Sequence, residues 1–148
     1  MGIAVPKSRI YTVSPDDCAL SVIREMHTKV YTHVPVIENG QFVGVFSENS
    51  VVSYLAANEI VGLDQTIKIR EFDAFIPVHS HNSETFVFFP RDASLFQIVS
   101  HFRQSLRERK RLGAVFLTQS GKHTEDILGL ITAWDIAGSD PMNSPEWF

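Results

Sequence analysis

An internal repeat is the feature that most constrains the fold of this 148-residue chain. The stretch VSPDDCAL, residues 13–20, returns later in the chain as FFPRDASL, residues 88–95. Both stretches lead into apolar residues spaced three or four apart, a pattern that predicts an amphipathic helix. These residues are Leu20, Ile23, Met26 and Val30 in the first copy, and Leu95, Ile98, Val99, Phe102 and Leu106 in the second. A repeated unit of this kind decides the architecture of the chain.

Each helix is followed by two apolar segments that read as strands. In the first copy these are residues 34–37 and 42–46, joined by the turn Glu38–Gly40. In the second copy they are residues 114–117 and 127–131, joined by a longer turn. An Asn-Gly pair between two apolar runs predicts a tight hairpin.

A polar four-residue segment then leads each copy into another helix. We call residues 47–50 (SENS) the first step and residues 132–135 (TAWD) the second step. Each copy therefore predicts the order strand, helix, strand, strand, helix. Neither copy is long enough to bury its own sheet well, so we expect the two to pack against each other around one core.

The repeat also predicts the division of the chain. We expect a first repeat over residues 1–60, a linker and lead-in over residues 61–84, a second repeat over residues 85–138 and a tail over residues 139–148. The linker contains Gly62 and the polar run His79–Ser83, and the tail contains two prolines, which are typical of turns and loops. The tail residues Trp147 and Phe148 are expected to pack on the body or on another subunit, because large apolar side chains are rarely left exposed together.

Composition narrows the possible functions. Hydrophobic residues make up 44% of the chain and charged residues 20%, which is typical of a globular protein. A formal net charge of -4 disfavours direct nucleic-acid binding. The single cysteine, Cys18, cannot form an internal disulfide, which favours a reducing, cytoplasmic setting. No apolar run approaches the roughly 20 residues that span a bilayer, and no signal-peptide core opens the chain, so no membrane association is expected.

The duplicated segments resemble a pair of cystathionine beta-synthase (CBS) domains. The resemblance rests on the helix starts beginning with Pro15 and Pro90, the strand Val34–Ile37, the turn Asn39-Gly40, and the segments Gly44–Ser47 (GVFS) and Gly129–Asp135 (GLITAWD). It extends from about Ile10 to Ala137 and leaves no room for a separate catalytic domain.

The resemblance implies an α+β fold in which two β-α-β-β-α repeats form a pseudo-twofold tandem pair, often called a Bateman module. Related modules bind adenosine-containing ligands such as AMP, ADP, ATP or S-adenosylmethionine in clefts between the repeats. They often form homodimers, and they sense a ligand and alter a partner protein. The resemblance therefore implies a cytoplasmic regulatory module that is not an enzyme, requires no cofactor, and acts on a partner that the sequence does not identify.

The second step is the candidate ligand site. A helix N-terminus offers free backbone N–H groups to a phosphate, and Thr132 can add a hydroxyl donor. The carboxylate of Asp135 can accept hydrogen bonds from ribose hydroxyls, and the resemblance implies these two roles. The same spacing is also that of a capping box, in which the acid bonds back to the first residue of the step. The two interpretations are compatible.

The first step departs from this pattern because Ser50 stands where the second step has Asp135. A serine lacks the charged acceptor that binds a diol strongly. We therefore predict one competent nucleotide site in the chain, at the second step.

The remaining candidate ligand-binding residues lie outside the steps. Arg109 and Arg111 could bind phosphate through their forked guanidinium groups, although basic residues also favour helix C-termini. An apolar slot for adenine is expected from Ile76, Pro77, Ala114 and Val115, which are equally ordinary core residues.

The remaining residues predict neither a metal site nor a catalytic site. His79 and His81 have only Glu84 nearby as an acid, so no metal site is predicted. No set of residues combines a nucleophile, a base and an oxyanion site, so no catalytic residue is predicted.

The alternative to ligand sensing is a protein-interaction or dimerisation module whose cleft is filled by aromatic side chains, namely Phe75, Phe86, Phe88, Phe89 and Phe116.

Overall fold

The computed structural model describes residues 5–81, 84–133 and 135–136. The strands are β1 (Val5–Pro6), β2 (His33–Glu38), β3 (Gln41–Ser47), β4 (Thr85–Pro90), β5 (Leu112–Thr118) and β6 (Gly129–Ile131). The α-helices are α1 (Ala19–Lys29), α2 (Glu48–Asn58) and α3 (Leu95–Arg107), with short 3-10 helices at Lys7–Arg9, Ile69–Phe75 and Val78–Ser80. Helical residues resume at Ala133, after the last strand. The mixed helix-and-strand class predicted from the sequence is confirmed.

The first repeat is built on the β2–β3 hairpin. Asn39 and Gly40 both have positive φ, 53° and 77°, the conformation of a tight two-residue hairpin turn, and they join strands that pair from His33 with Ser47 to Glu38 with Gln41. The predicted hairpin is therefore confirmed. The opening strand of this copy is reduced to a single parallel bridge between Val13 and Val36. One side of the hairpin packs on helix α1 through a core that includes Val22, Met26, Val34, Val36, Phe46 and Phe72.

The second repeat contains the larger sheet, in the order β1-β6-β5-β4. Strands β4 and β5 are parallel, and β6 is antiparallel to both β5 and β1. Helix α3 covers one face of this sheet through a core that includes Ile98, Phe102, Leu112, Val115, Leu117 and Ile131. Ser94 and Gln97 cap its N-terminus reciprocally, at 3.2 and 2.9 Å.

The two compact units do not follow the boundaries expected from the repeat. One unit holds residues 11–81, and the other joins residues 5–10 to the described residues from Glu84 onward. The reason is that the residues leading into each repeat bond to the last strand of the other repeat. Val5–Pro6 bonds to β6, and Ile76 bonds to β3. Val5–Pro6 pairs with Leu130 and Gly129. In the other unit, the backbone N–H of Val45 donates to the carbonyl of Ile76 at 2.8 Å.

The helix faces also differ from the predicted ones at their ends. Val30 is 78% exposed because it lies beyond the end of α1 in a left-handed conformation, with φ of 61°. Leu95 and Leu106, at the two ends of α3, are 45% and 51% exposed. The middle of each predicted face is buried as expected, at Met26 in α1 and at Ile98 in α3.

Candidate functional site

The second step begins a helix, and Asp135 closes on its first residue. The Oδ2 atom of Asp135 accepts the backbone N–H of Thr132 at 2.7 Å and the Thr132 hydroxyl at 3.1 Å. The backbone N–H of Asp135 in turn donates to the Thr132 carbonyl at 3.1 Å. The acidic half of a capping box is therefore formed. Both bonds use Oδ2, and the described residues leave the acceptor capacity of Oδ1 unused.

The first step is closed by its own side chains. The backbone N–H of Ser47 donates to the hydroxyl oxygen of Ser50 at 3.1 Å, and that of Ser50 donates to the hydroxyl oxygen of Ser47 at 3.3 Å. The Ser50 hydroxyl then donates to the carbonyl of Phe75 at 3.1 Å. Both serines are only 1% exposed. The contact with Phe75 could not be predicted from the sequence, because Phe75 lies 25 residues from Ser50.

The two candidate arginines occupy different surroundings. Helix α3 ends at Arg107, so both lie beyond it, and Arg109 adopts a positive φ of 57°. Both are exposed. Arg111 lines a pocket of about 180 Å³ that also includes Ala133 and Ile136, on the helix that the second step begins. Arg109 does not line this pocket. The structure therefore brings Arg111, and not Arg109, to the side of the second step's helix.

Two of the four candidate slot residues, Ala114 and Val115, are neighbours on β5. Val115 is fully buried in the core beneath α3. Ala114, its neighbour, points to the opposite face of β5 because side chains alternate along a strand, and it lies opposite Phe86 of β4. Ala114 is also fully buried, on the face of the sheet opposite to Val115.

Ile76 and Pro77 belong to the compact unit of the first repeat. Ile76 lies beside Gly44 of β3, the strand that ends at the first step. The equivalent position beside the second step's strand is taken by Val5–Pro6, which pairs with β6. The structure therefore does not bring Ile76 and Pro77 together with Thr132 within one unit.

Comparisons with known proteins agree with this repeated architecture. Residues 3–57 match the family model of the CBS domain. A CBS domain protein from Streptococcus pneumoniae superposes with a TM-score of 0.63 at 16% identity, covering 97% of this chain and 83% of that one. CbpB in complex with c-di-AMP gives a TM-score of 0.61 at 16% identity, covering 93% of this chain and 81% of that one. A comparison with curated proteins finds no match.

The chain has the fold of a tandem CBS-domain protein. The family-model match spans the first CBS repeat, and the structural likeness extends over the second. A Methanocaldococcus jannaschii protein, described as a candidate archaeal homologue of γ-AMPK, also superposes, with a TM-score of 0.63 at 18% identity. The match covers 94% of this chain but 48% of that protein, so the tandem CBS pair corresponds to about half of it.

The part of the chain that the structure describes shows neither a metal cluster nor a membrane-spanning helix. Over residues 5–81, 84–133 and 135–136, no three His, Cys, Asp or Glu side chains are placed to hold a metal ion. Within the same residues, none of the helices has the length and apolar character needed to cross a bilayer.

Proposed function

We propose that this chain is a ligand-sensing regulatory module that binds an adenine nucleotide or a related adenosyl compound at the second step. The difference between the two steps carries the proposal. At the first step the Ser50 hydroxyl is buried and bonded to Phe75. At the second step Asp135 has a partly exposed carboxylate, of which only Oδ2 accepts hydrogen bonds from described residues. One step is closed by the protein and the other keeps acceptor capacity for a ligand.

The chemistry of the second step suits a ribose and a phosphate. Asp135 can stabilise the helix start through Oδ2 while Oδ1 accepts a ribose hydroxyl. Backbone N–H groups at a helix N-terminus favour a phosphate, and Arg111 lies on the pocket beside that helix. Capping and ligand binding are therefore compatible roles of one carboxylate.

The comparisons support an adenine nucleotide as the ligand class. CbpB has been solved in complex with c-di-AMP, and the Methanocaldococcus jannaschii protein is described as related to γ-AMPK. Both names point to adenine nucleotides, and both proteins share the fold of this chain. Ligand binding would act by favouring one conformation of the module, and the size of the response is limited by the difference in affinity between conformations. A cytoplasmic homodimer acting on a separate protein is the setting that we propose.

The alternative is a protein-interaction module without a ligand, and the aromatic face of the second sheet favours it. Phe116 is fully buried, and its ring lies 5.4 Å from that of Phe88 and 6.1 Å from that of Phe86. Ala114, the slot residue on that side of the sheet, pairs with Phe86 in the β4–β5 register and is fully buried. A face already filled by aromatic side chains would leave no room for adenine.

Thermal unfolding with a ligand panel separates the two proposals. The panel is AMP, ADP, ATP, S-adenosylmethionine and c-di-AMP, tested on the wild type, Asp135→Asn and Asp92→Asn. Asn keeps an oxygen for the Thr132 N–H but removes the charge, and Asp92 is an exposed acid of the same unit. A ligand at about 100 times its Kd stabilises the folded state by about 2.7 kcal/mol, which raises the Tm by several degrees.

We expect one or more compounds to raise the Tm of the wild type and of Asp92→Asn, and to have a much smaller effect on Asp135→Asn. An equal shift in all three proteins would place the ligand elsewhere. If no compound shifts a cooperative transition, the ligand-sensing proposal is wrong and the interaction module is favoured.

A further inference from the structure

Helix α3 carries a second apolar side, separate from the one that packs on the sheet. Leu95, Phe96 and Leu106 are 45%, 78% and 51% exposed. Val99 lies between them along the helix and is partly buried against the core. Because residues three, four and seven positions apart lie on one side of a helix, these four side chains form one band along α3. We call these four residues the α3 stripe.

The α3 stripe differs from a single exposed apolar side chain, which is ordinary on a protein surface. The exposed part of Phe96 amounts to roughly 150 Å² of apolar area, because a large aromatic side chain presents about 150–250 Å². The two leucines and Val99 extend this area along the length of the helix. A contiguous apolar patch of a few hundred Å² marks an interaction site on a soluble protein. The partner that covers it must itself present an apolar surface.

The α3 stripe is complementary to a second copy of itself. Phe96 and Leu106 are equally distant from His101, the middle residue of α3. In a twofold dimer each residue meets the residue that is related to it through the symmetry axis. Two α3 helices that run antiparallel, with the axis beside residue 101, therefore place Phe96 of each copy opposite Leu106 of the other.

The charges at the two ends of α3 favour this antiparallel arrangement over a parallel one. Arg107 ends the helix, Lys110 follows it, and both are exposed. The first turn of the helix, residues 95–98, contains no charged residue. Parallel helices would bring the two basic ends together, and like charges placed side by side are unfavourable. Antiparallel helices place each basic end beside the uncharged first turn of the other copy.

We propose that the α3 stripe is the surface through which two copies of this chain associate, with the two α3 helices antiparallel. The inference rests on the proposed function for the homodimeric setting and names the interface, but it requires no bound ligand. Ser100 and Arg103, which are partly exposed beside the α3 stripe, would form part of its polar rim. One helix of 13 residues covers less than the area of about 800 Å² per partner that is typical of stable complexes. The dimer is therefore expected to dissociate at micromolar concentrations.

Sedimentation velocity of the full chain without ligand, over a range of micromolar concentrations, tests the association. We expect the wild type to show a monomer–dimer equilibrium and Phe96→Asp to raise its Kd by about tenfold or more. Position 96 lies in the first turn of α3, where an acidic side chain favours the helix, so the variant should fold. Val52→Asp is the matched control, because Val52 is a 63% exposed apolar residue on α2, outside the α3 stripe. Its Kd should equal that of the wild type.

Disulfide cross-linking tests the antiparallel arrangement. Phe96→Cys and Leu106→Cys are made separately, each together with Cys18→Ser, so that each protein has one cysteine. Residues 96 and 106 of one helix are about 15 Å apart along its axis, so antiparallel pairing keeps two copies of the same variant too far apart for a disulfide. We expect a mixture of the two variants to form the mixed disulfide several-fold faster than either variant alone forms its own. Intact mass distinguishes the three products.

A wild type that stays monomeric over the whole concentration range would overturn the proposal. Equal weakening by Phe96→Asp and Val52→Asp, or no weakening by either, would also overturn it, because the dimer would then use another surface. Faster cross-linking of a single variant with itself would contradict the antiparallel arrangement. These measurements are made without nucleotide, so their outcome is independent of the ligand panel that tests the proposed function.

Discussion

The Ser50 hydroxyl donates to the carbonyl of Phe75 at 3.1 Å, across a separation of 25 residues. This bond joins the start of helix α2 to the end of the 3-10 helix at Ile69–Phe75. The donor, Ser50, holds the position in the first repeat that Asp135 holds in the second repeat. The first step therefore serves stability, whereas at the equivalent position of the second repeat the described residues bond only Oδ2 of Asp135.

Ser50→Ala is expected to destabilise the protein by about 2 kcal/mol. The substitution removes the reciprocal cap with Ser47 and leaves the Phe75 carbonyl without this donor. Urea unfolding measures the change in free energy of unfolding. Ser53→Ala, on the same helix, is the control, since Ser53 makes no side-chain hydrogen bond with any described residue and alanine favours helices. Equal stability of the two variants would contradict the role of Ser50.

Gly44→Ala is expected to destabilise the protein by about 3 kcal/mol or more. A Cβ at Gly44 would overlap the main-chain carbonyl of Ile76, and its φ of 154° already disfavours a side chain. Because backbone atoms make the contact, the strand and the lead-in would have to separate, which would also weaken the Val45–Ile76 hydrogen bond. Urea or thermal unfolding of the purified variant measures the loss.

Substitutions at two other glycines distinguish steric overlap from backbone strain as the cause of that loss in stability. Gly62 has no atom within 4 Å of an added Cβ and no positive φ, so Gly62→Ala should leave stability nearly unchanged. Gly40 also has open space but a φ of 77°, so Gly40→Ala should cost about 1–2 kcal/mol through backbone strain alone. If Gly44→Ala costs no more than Gly40→Ala, the close approach of Ile76 does not contribute.

The local elements of this fold could be predicted from the sequence because local chemistry determines them. Asn39-Gly40 accepts two positive φ values at little cost, so the hairpin and its position follow from two residues. The order of helices and strands follows similarly from the repeated apolar periodicity. The pairing of Val5–Pro6 with β6 and the bond between Ile76 and β3 could not be predicted, because the partners are distant in sequence.

The local part of the candidate site, Thr132 with Asp135, could also be predicted from the sequence. Thr132 and Asp135 lie three residues apart at a helix start, so their bond is local and follows from spacing. The position of Ile76 beside Gly44 depends on a long-range contact that the spacing does not encode, and its assignment to the ligand site stays a prediction. Strand alternation alone already separates Ala114 from Val115, since adjacent residues of a strand face opposite sides of the sheet.

The loop that joins β5 to β6 is expected to lose stability in acid. Backbone N–H groups of Lys122 and Ser120 donate to the carboxylate of Glu125 and lower its pKa from 4.5 to about 2. Because the pKa is lower in the folded state, the ionised carboxylate stabilises the folded loop above about pH 4.5. That contribution is lost as the pH falls from 4.5 to about 2.

Carbon-detected NMR titration of the Glu125 carboxyl is expected to give a midpoint near 2 in the folded protein. Glu125→Gln should flatten the dependence of the unfolding free energy on pH between 4.5 and 2, and it should weaken the protein at neutral pH. Ser120→Ala removes the hydroxyl donor at 2.9 Å but keeps the backbone donors, so it should raise the midpoint only in part. A midpoint near 4.5 in the folded wild type would show that these bonds do not form in solution.

The cap at the second step predicts different effects for two substitutions of Asp135 in the absence of ligand. Asp135→Ala removes the acceptor of the Thr132 N–H and hydroxyl, which should cost about 1 kcal/mol. Asp135→Asn keeps an oxygen in the same place, so its free energy of unfolding should fall by less than that of Asp135→Ala. Urea unfolding of the three proteins measures both values. A loss of ligand binding by Asp135→Asn with little loss of stability would then identify the free acceptor, rather than the cap, as the part of the carboxylate that contacts the ligand. Equal stability of Asp135→Ala and the wild type would contradict the cap itself.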